Sequence, residues 1–543
     1  MNKKPFVIAP RMPATLASLL VLGSLAAAQT ELHFYELGES QMNMDKASNI
    51  ARTLGLTQMK DPNGGPLPIW VMADGSVRGT LSRGMFYVSP DLPRAKKPAP
   101  TDLPAVQKTA QAYLQQFGIL PDDRSLWTAK FNFWTKQSSD AAGNIGAPLT
   151  PIVGVQFQRS LDKLPVFGPA SAVTVDVDAL GVAGGVASVR PAILMDKVVV
   201  PKSDKQIQDE YLMLLAIRKR LEHGTPKLVE KRKCYWEEDL GFIQPVMLYK
   251  VLFTDESGNQ SAAEIPVPIA KNLPEPLQKS NFNGFVPIMP ADGGDGGGRS
   301  RVSNLRLGEY VVRQDSDPGI CLSVVNAFYN NSAFFAPFTG HSVSRVQYYW
   351  DHDWLWQDTA SFSNNCRYYA GSVDMAATVA HASPWRFTCL SNYGETVELK
   401  NMSHFGANAG GGGNPDQCYT SYLLFASCSM IPAPGDPYGG SYQSPSSPFG
   451  VWWNMFWGLH GVYGFRTTAG KSAAVDAFGG FGLRTGLCHP NVAAWLDTTS
   501  SLDHGSNWNY GSIVIATGKE SDIIFNTTAR AKATSLTMWW NHS

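Results

Sequence analysis

Apolar residues recur along the first part of the chain with two different periods, which predict a mixture of helices and strands. Residues 44–54 and 105–117 repeat apolar side chains at helical spacing. Thr101 and Asp102 supply capping groups just ahead of the second of these helices. Shorter apolar runs bounded by turn residues predict strands. These strands cover residues 153–158, 172–177, 182–189 and 244–253.

The second part of the chain carries short, mostly apolar runs that stop abruptly at a polar residue. One run, residues 373–380, ends at His381, and another, residues 421–427, ends at Cys428. Their length and flanking turn residues predict two buried strands. Strands alternating with helical segments predict an α/β fold with a mostly parallel sheet flanked by helices. The further predicted elements are helices at residues 452–459 and 487–496, a strand at residues 461–466 and a closing strand at residues 512–516.

A segment rich in glycine, proline and aspartate separates the two parts. Residues 287–298 have no apolar periodicity, which is typical of a flexible linker. We therefore divide the chain into an α+β region at residues 29–280, a linker at residues 281–300 and an α/β domain at residues 301–543. The linker around residues 293–298 is also a natural processing site, where cleavage would release the second part.

The N-terminus has the pattern of an export signal. Basic residues precede a short apolar core at residues 16–25, and small residues up to Ala28 offer a cleavage site. We predict cleavage after Ala28 and a secreted or periplasmic location. No later run approaches the length of a membrane-spanning helix, so we expect no transmembrane anchor.

Charge composition argues against one class of partner. Acidic and basic residues balance at 45 each, so no net field favours nucleic acid or an anionic membrane surface. We therefore predict no nucleic-acid partner.

Seven cysteines in an oxidising compartment predict disulfides, and the odd count leaves at least one of them unpaired within the chain. Only Cys234 lies in the first part. If Cys428 is a nucleophile, five cysteines remain in the second part, and one of these is either unpaired or bonded to Cys234. If Cys428 is a half-cystine, three bridges close within the second part and Cys234 is left over. Cysteine parity favours the structural alternative, with Cys418 or Cys389 as the partner of Cys428.

Residues 155–168, followed by a hairpin at residues 172–189, resemble the propeptide modules of thermolysin-type metallopeptidases and the related PepSY domains. There, a turn of the form dGvPVfG precedes a hairpin of the form v.vD.dG.v, and here Lys163 and Leu164 replace the usual pair. The resemblance implies one or two modules that assist folding of a peptidase domain or inhibit it. A generic α+β module that binds something unrelated is the alternative. No His-Glu-x-x-His occurs in the chain, so the zinc site of those peptidases is absent.

His381 and Cys428 are the strongest candidates for chemistry. If their strands are neighbours in a parallel sheet, both residues leave it at the same edge, where ligands bind in open α/β sheets. A cysteine nucleophile needs an imidazole that holds it as thiolate and later protonates the leaving group. The separation along the chain is similar to that in caspases.

The second part also resembles the caspase-like fold of caspases, gingipains and legumains. Those proteins end one strand in His-Gly and the next in a cysteine after small residues, which matches residues 380–382 and 426–429. Residues 459–465 and 492–495 further resemble an uncharacterised bacterial family, known only as a domain of unknown function.

This resemblance implies a cysteine peptidase acting on a protein or peptide substrate. Cys428 is then the nucleophile, His381 is the general base and acid, and backbone N–H groups of Ala382 and Cys428 bind the oxyanion. The family usually has glycine after the histidine. Ala382 keeps the backbone donor but tolerates fewer turn conformations.

A non-catalytic envelope or secreted binding protein on the same fold is the alternative, with an aromatic-rich face that recognises a glycan or peptide. Trp452 belongs to that aromatic set, although a core position is its simplest interpretation. Residues 464–472 mimic a phosphate-binding loop, but five residues separate the glycines where four are required. We predict no cofactor and no metal ion.

Overall fold

The structure is a computed structural model that describes most of the chain. It describes residues 31–543 apart from residues 61–63, 83, 169–171, 188, 223–224, 238–240, 255–259, 275–302, 312–317, 350–369, 381, 391–394, 400–419, 437–448, 506–507 and 528–531. The predicted export signal and linker lie outside the described residues.

Local sequence signals set the helices of the first part. The Asn43 side chain accepts a hydrogen bond from the Lys46 N–H at the start of the first helix. The Asp102 side chain caps the second by accepting from the Ala105 N–H, as predicted. The helices of the first part are α1 (Met44–Thr53), α2 (Leu103–Gln116) and α3 (Asp204–Glu222). Its strands are β1 (His33–Leu37), β2 (Thr57–Lys60), β3 (Pro66–Val71), β4 (Val77–Ser82), β5 (Met85–Val88), β6 (Leu126–Asp140), β7 (Leu149–Leu161), β8 (Leu164–Phe167), β9 (Ala172–Asp178), β10 (Gly181–Ala187), β11 (Ala192–Val198), β12 (Thr225–Glu237), β13 (Phe242–Thr254) and β14 (Gln260–Pro268).

The second part contains helices and buried strands, which do not alternate one for one within the described residues. Its helices are α4 (Pro318–Phe335), α5 (Lys471–Gly486) and α6 (Asn491–Ser500). Its strands are β15 (Asn304–Val311), β16 (Ser342–Tyr349), β17 (Met375–Val379), β18 (Ala382–Ser383), β19 (Arg386–Leu390), β20 (Glu395–Glu398), β21 (Tyr422–Ala426), β22 (Gly461–Phe465), β23 (Gly511–Ala516) and β24 (Ser535–His542).

A parallel block forms the centre of the second part. Strands β16, β15, β17, β21 and β22 lie side by side in that order, and all neighbouring pairs are parallel. Strands β23 and β24 extend this block in antiparallel fashion. Helices α4, α5 and α6 cover one face, where their apolar side chains share a core with the strands. The protein is therefore α/β, with a large mixed sheet.

Three predictions for the second part differ from the structure. The helix predicted at residues 452–459 does not form, since residues 449–455 make consecutive turns. Trp452 donates its N–H to the Phe449 carbonyl and Met455 donates to the Trp452 carbonyl, and Trp452 packs into the core on the other face of the sheet. The helix predicted at residues 487–496 begins only at Asn491, since the chain turns at Cys488, whose φ is 61°, and Pro490 then leads into α6. Strand β23 is also not the closing strand, because β24 follows it.

Candidate functional site

Strands β17 and β21 are parallel neighbours in full register. Met375 lies opposite Tyr422 at one end of the pair, and Val379 lies opposite Ala426 at the other. The two apolar runs are therefore neighbours in a parallel sheet, which is the condition for both of the following residues to leave it at the same edge. His381 and Cys428 each follow the last register pair by two residues. His381 itself lies outside the described residues.

Cys428 lies in the core beside α5. Its side chain is a thiol and the residue is 7% exposed. The sulfur accepts a hydrogen bond from the Ala469 N–H, with Sγ 3.4 Å from the nitrogen, and donates to the Ala469 carbonyl at 3.7 Å. The next residue, Ser429, has a φ of 49°, and its N–H bonds to the Thr467 carbonyl at 2.9 Å. The chain thus turns sharply after β21 and places the thiol against the loop that precedes α5.

The other cysteines bear on the two disulfide alternatives. Cys234, Cys321 and Cys488 are also thiols, so the arrangement in which three bridges close among all six cysteines of the second part is not present. The side chains of Cys366, Cys389 and Cys418 lie outside the described residues, and a bridge among them stays a prediction.

Ala382, the expected second oxyanion donor, opens the short strand β18 and is buried. It pairs with Phe387 of β19 and with Gln260 of β14. Strand β14 belongs to the first part of the chain, so the first part reaches the residue that follows His381. Sequence reasoning did not predict this contact, because the partners are far apart in the chain.

Strand β14 also contacts the loop that holds the thiol. Ala262 forms an isolated bridge with Gly470, the residue before α5. Gly470 in turn donates its N–H to the Asn509 side chain at 2.8 Å. At the second residue of α5, the Ser472 hydroxyl donates to Glu264 at 3.4 Å. The loop that contacts Cys428 is therefore fixed from β14 on one side and from Asn509 on the other.

A buried ion cluster anchors β14 beside this loop. Lys250 is fully buried, and its ammonium lies 2.6 Å from Asp503 and 3.5 Å from Glu264. Burial raises the pKa of the Glu264 carboxyl despite the attraction of Lys250. For Asp503, burial acts in the same direction, but Lys250 and Arg232 outweigh it, so the pKa of Asp503 lies below its ordinary value. The cluster joins both parts of the chain, since Lys250 and Glu264 belong to the first and Asp503 to the second.

The segment from Thr467 to Gly470 is the component of the site that the sequence did not reveal. The only sequence signal there is the near match of residues 464–472 to a phosphate-binding loop, whose glycine spacing does not fit that motif. The structure gives these small residues a different role, in which they pack a backbone loop against the thiol.

The described residues define a mixed α/β protein in which Cys428, two residues beyond β21, contacts a loop that strand β14 of the first part also contacts. No protein family and no curated protein matches the chain. The solved structures that are similar over limited regions include the following two. An uncharacterised protein from Eubacterium rectale is 10% identical, with a TM-score of 0.30, over 46% of this chain and 86% of its own. The Bacillus megaterium YpeB C-terminal domain is 12% identical, with a TM-score of 0.21, over 43% of this chain and 95% of its own. Similarities this low assign neither fold nor function.

The structure also bears on membrane association. Within the described residues, none of the helices combines the length and apolar character needed to cross a bilayer.

Proposed function

We propose that the protein is an exported cysteine peptidase whose second part has a caspase-like fold and whose first part assists or inhibits it. The observation that carries the proposal is the register of β17 and β21. Adjacent parallel strands that lead at one edge into a histidine and a cysteine are the arrangement that the resemblance to caspase-like peptidases implies. The thiol state of Cys428 supports the same proposal, since a half-cystine could not attack.

The proposed chemistry assigns one step to each residue. His381 takes the thiol proton, and the Cys428 sulfur attacks the peptide carbonyl to form a tetrahedral intermediate. Backbone N–H groups of Ala382 and Cys428 bind its oxyanion. Collapse of the intermediate expels the amine, which receives the proton from His381, and leaves a thioester. Water, deprotonated by His381, then hydrolyses the thioester to a carboxylic acid and regenerates the thiol.

Nucleophilic attack by Cys428 requires its sulfur to break the hydrogen bonds with the Ala469 backbone. Both polar groups of the Ala469 backbone engage the thiol in the present conformation, and little of Cys428 is exposed. A movement of the loop before α5 is therefore part of the proposed cycle. The contacts of β14 with Gly470 and Ser472 support an inhibitory role for the first part, because they fix this loop.

The second candidate is a non-catalytic exported binding protein on the same fold, and the burial of Cys428 favours it. The aromatic recognition face expected for it does not include Trp452, which is fully buried in the core. Trp350, Trp354 and Trp356 lie outside the described residues. A glycan or peptide remains the proposed ligand of this second candidate.

Alkylation of the folded protein by iodoacetamide separates the two candidates. A peptidase predicts that Cys428 labels first, that His381→Ala slows the labelling, and that prior labelling abolishes cleavage of a casein or mixed-peptide substrate. Cys234 is the internal control, because burial raises the pKa of its thiol to about 12 and keeps it protonated. If Cys428 is labelled no faster than Cys234, or if His381→Ala does not change its labelling rate, the peptidase proposal is excluded.

A further inference from the structure

The sheet of the second part continues into the first part without a break. Strand β24 pairs with β6 in antiparallel register from Ser535 opposite Asp140 to His542 opposite Phe133. On its other edge β24 pairs with β23. Beyond β6 the same sheet runs through β7, β9 and β10. Removing the first part would leave β24 as an open, apolar edge strand, which is an aggregation hazard.

The two parts also share one hydrophobic core. The cluster that holds Cys428, Phe481 and Trp495 includes side chains from the first part, and the largest of these is Trp134. The Trp134 indole N–H donates to the Ser500 hydroxyl at 3.0 Å. Next to it, the Lys136 ammonium lies 4.8 Å from the centre of the Trp539 ring. The members of this core from the first part are Ile69, Val77, Leu92, Ala95, Trp134 and Ile152.

A buried polar cluster crosses the same boundary. The Tyr87 hydroxyl donates to the Asp497 carboxylate, and the Arg484 guanidinium lies 4.4 Å from the centre of the Tyr87 ring. Asp176 of β9 belongs to the cluster and is fully buried. His489 of the second part contacts the hydroxyls of Ser89 and Thr80 of the first, at 3.2 Å and 3.1 Å.

Separating the two parts would remove a contact partner from each side chain of this polar cluster. Arg484 and Asp497 would lose their contacts with Tyr87, and the apolar core around them would be exposed to water. Polar groups matched across a dry boundary, together with a shared core, are features of a domain interior and of obligate interfaces.

We propose that the first part is a permanent partner of the second, held by non-covalent contacts, so that cleavage in the linker yields a stable two-chain protein. This replaces the expectation that processing around residues 293–298 releases the second part. It also implies that, after cleavage, β14 stays beside the loop of residues 467–470 that contacts Cys428. The proposal does not depend on the peptidase chemistry.

The test uses the full chain with a site for a specific protease in place of residues 293–298. After complete cutting under native conditions, we expect both fragments to elute together from gel filtration at the volume of the uncut chain. This result should hold even in 1 M NaCl. Heating should unfold the cut protein in one transition that both fragments share. Two folded fragments that elute separately, or two independent unfolding transitions, would overturn the proposal.

A variant pair tests whether the named boundary is the one that holds the fragments. Tyr87→Phe keeps the ring and removes only the hydrogen bond to Asp497, so the cut complex should dissociate about tenfold more readily on dilution. Tyr113 lies on α2 and packs against the first part's own core. Tyr113→Phe should therefore leave dissociation of the cut complex unchanged. Equal effects of the two substitutions would contradict the assignment of this interface. The same measurements on a Cys428→Ala chain should agree with those on the unmodified chain, which separates this proposal from the proposed function.

Discussion

The Cys428 sulfur and the Ala469 backbone are joined in both directions, since Ala469 N–H donates to the sulfur and the sulfur donates to the Ala469 carbonyl. This pairing couples the reactivity of the thiol to the position of a loop. That loop is in turn held by Asn509 and by β14, so distant substitutions should change the rate at which Cys428 reacts.

Asn509→Gly should speed alkylation of Cys428 several-fold. Asn509 has a φ of 63°, which glycine adopts without strain. The substitution therefore removes the acceptor for the Gly470 N–H with little backbone cost. The measurement is the rate of iodoacetamide labelling, followed by mass spectrometry of the Cys428 peptide. Asn43→Gly, at the exposed start of α1, is the matched control and should leave the rate unchanged. A rate for Asn509→Gly equal to that of the control would show that this loop does not limit access.

Lys250→Met should destabilise the protein by roughly 3–5 kcal/mol, because it leaves Glu264 and Asp503 without their shared cation in a buried site. Urea unfolding monitored by tryptophan fluorescence measures the change. Lys227→Met provides the comparison, since Lys227 is an exposed residue of β12, and we expect less than about 0.5 kcal/mol there. Similar values for the two variants would refute the anchoring role of the cluster.

Asp176→Asn should make stability less dependent on pH. Burial, followed by the neighbouring Asp497, raises the pKa of Asp176 well above its ordinary value. Burial also raises the pKa of Asp497 to about 6, although Arg484 and Tyr87 oppose the shift. A carboxyl whose pKa is raised by folding binds more protons in the folded state, so its contribution to stability falls as pH rises above about 4.

The variant should therefore match the natural chain near pH 4 and be more stable by about 1–2 kcal/mol at pH 7.5. Thermal unfolding at several pH values tests this. Asp74→Asn is the contrasting control, because hydrogen bonds from Ser76 lower the pKa of Asp74, with Arg78 and Arg94 acting in the same direction. That group contributes stability at high pH that is lost on acidification. A difference for Asp176→Asn that does not grow with pH would contradict the assignment.

Two glycines of α5 should respond in opposite ways to alanine. A Cβ on Gly482 would lie 2.4 Å from the Phe328 carbonyl of α4, so Gly482→Ala should force the helices apart and cost roughly 1–3 kcal/mol. A Cβ on Gly479 meets only ordinary contacts with Ala327 and Asn331. Gly479→Ala should therefore be neutral or stabilise α5 by up to about 1 kcal/mol. Chemical denaturation of the two variants measures the change in the free energy of unfolding. Equal losses of stability in both would disprove a close helix contact at Gly482.

The close contact at Gly482 also explains why the sequence pattern does not predict α5. Its sequence has glycines among apolar residues and no distinct polar face, so neither helical propensity nor periodicity indicates a helix. The helix forms because glycine lets its backbone approach α4, and this gain exists only in the packed protein.

The apolar runs before His381 and Cys428 and the capping group Asp102 were determined by the sequence itself, because each depends on neighbours within a few residues. The parallel character of the central strands was indicated by the order of strands and helices along the chain. Tertiary structure alone decided that β24 pairs with β6, that β14 reaches Ala382 and Gly470, and that Ala469 contacts the Cys428 sulfur. Those contacts join residues tens to hundreds of positions apart. Their partners are selected by the packing and hydrogen bonding of the complete fold, which no local pattern records.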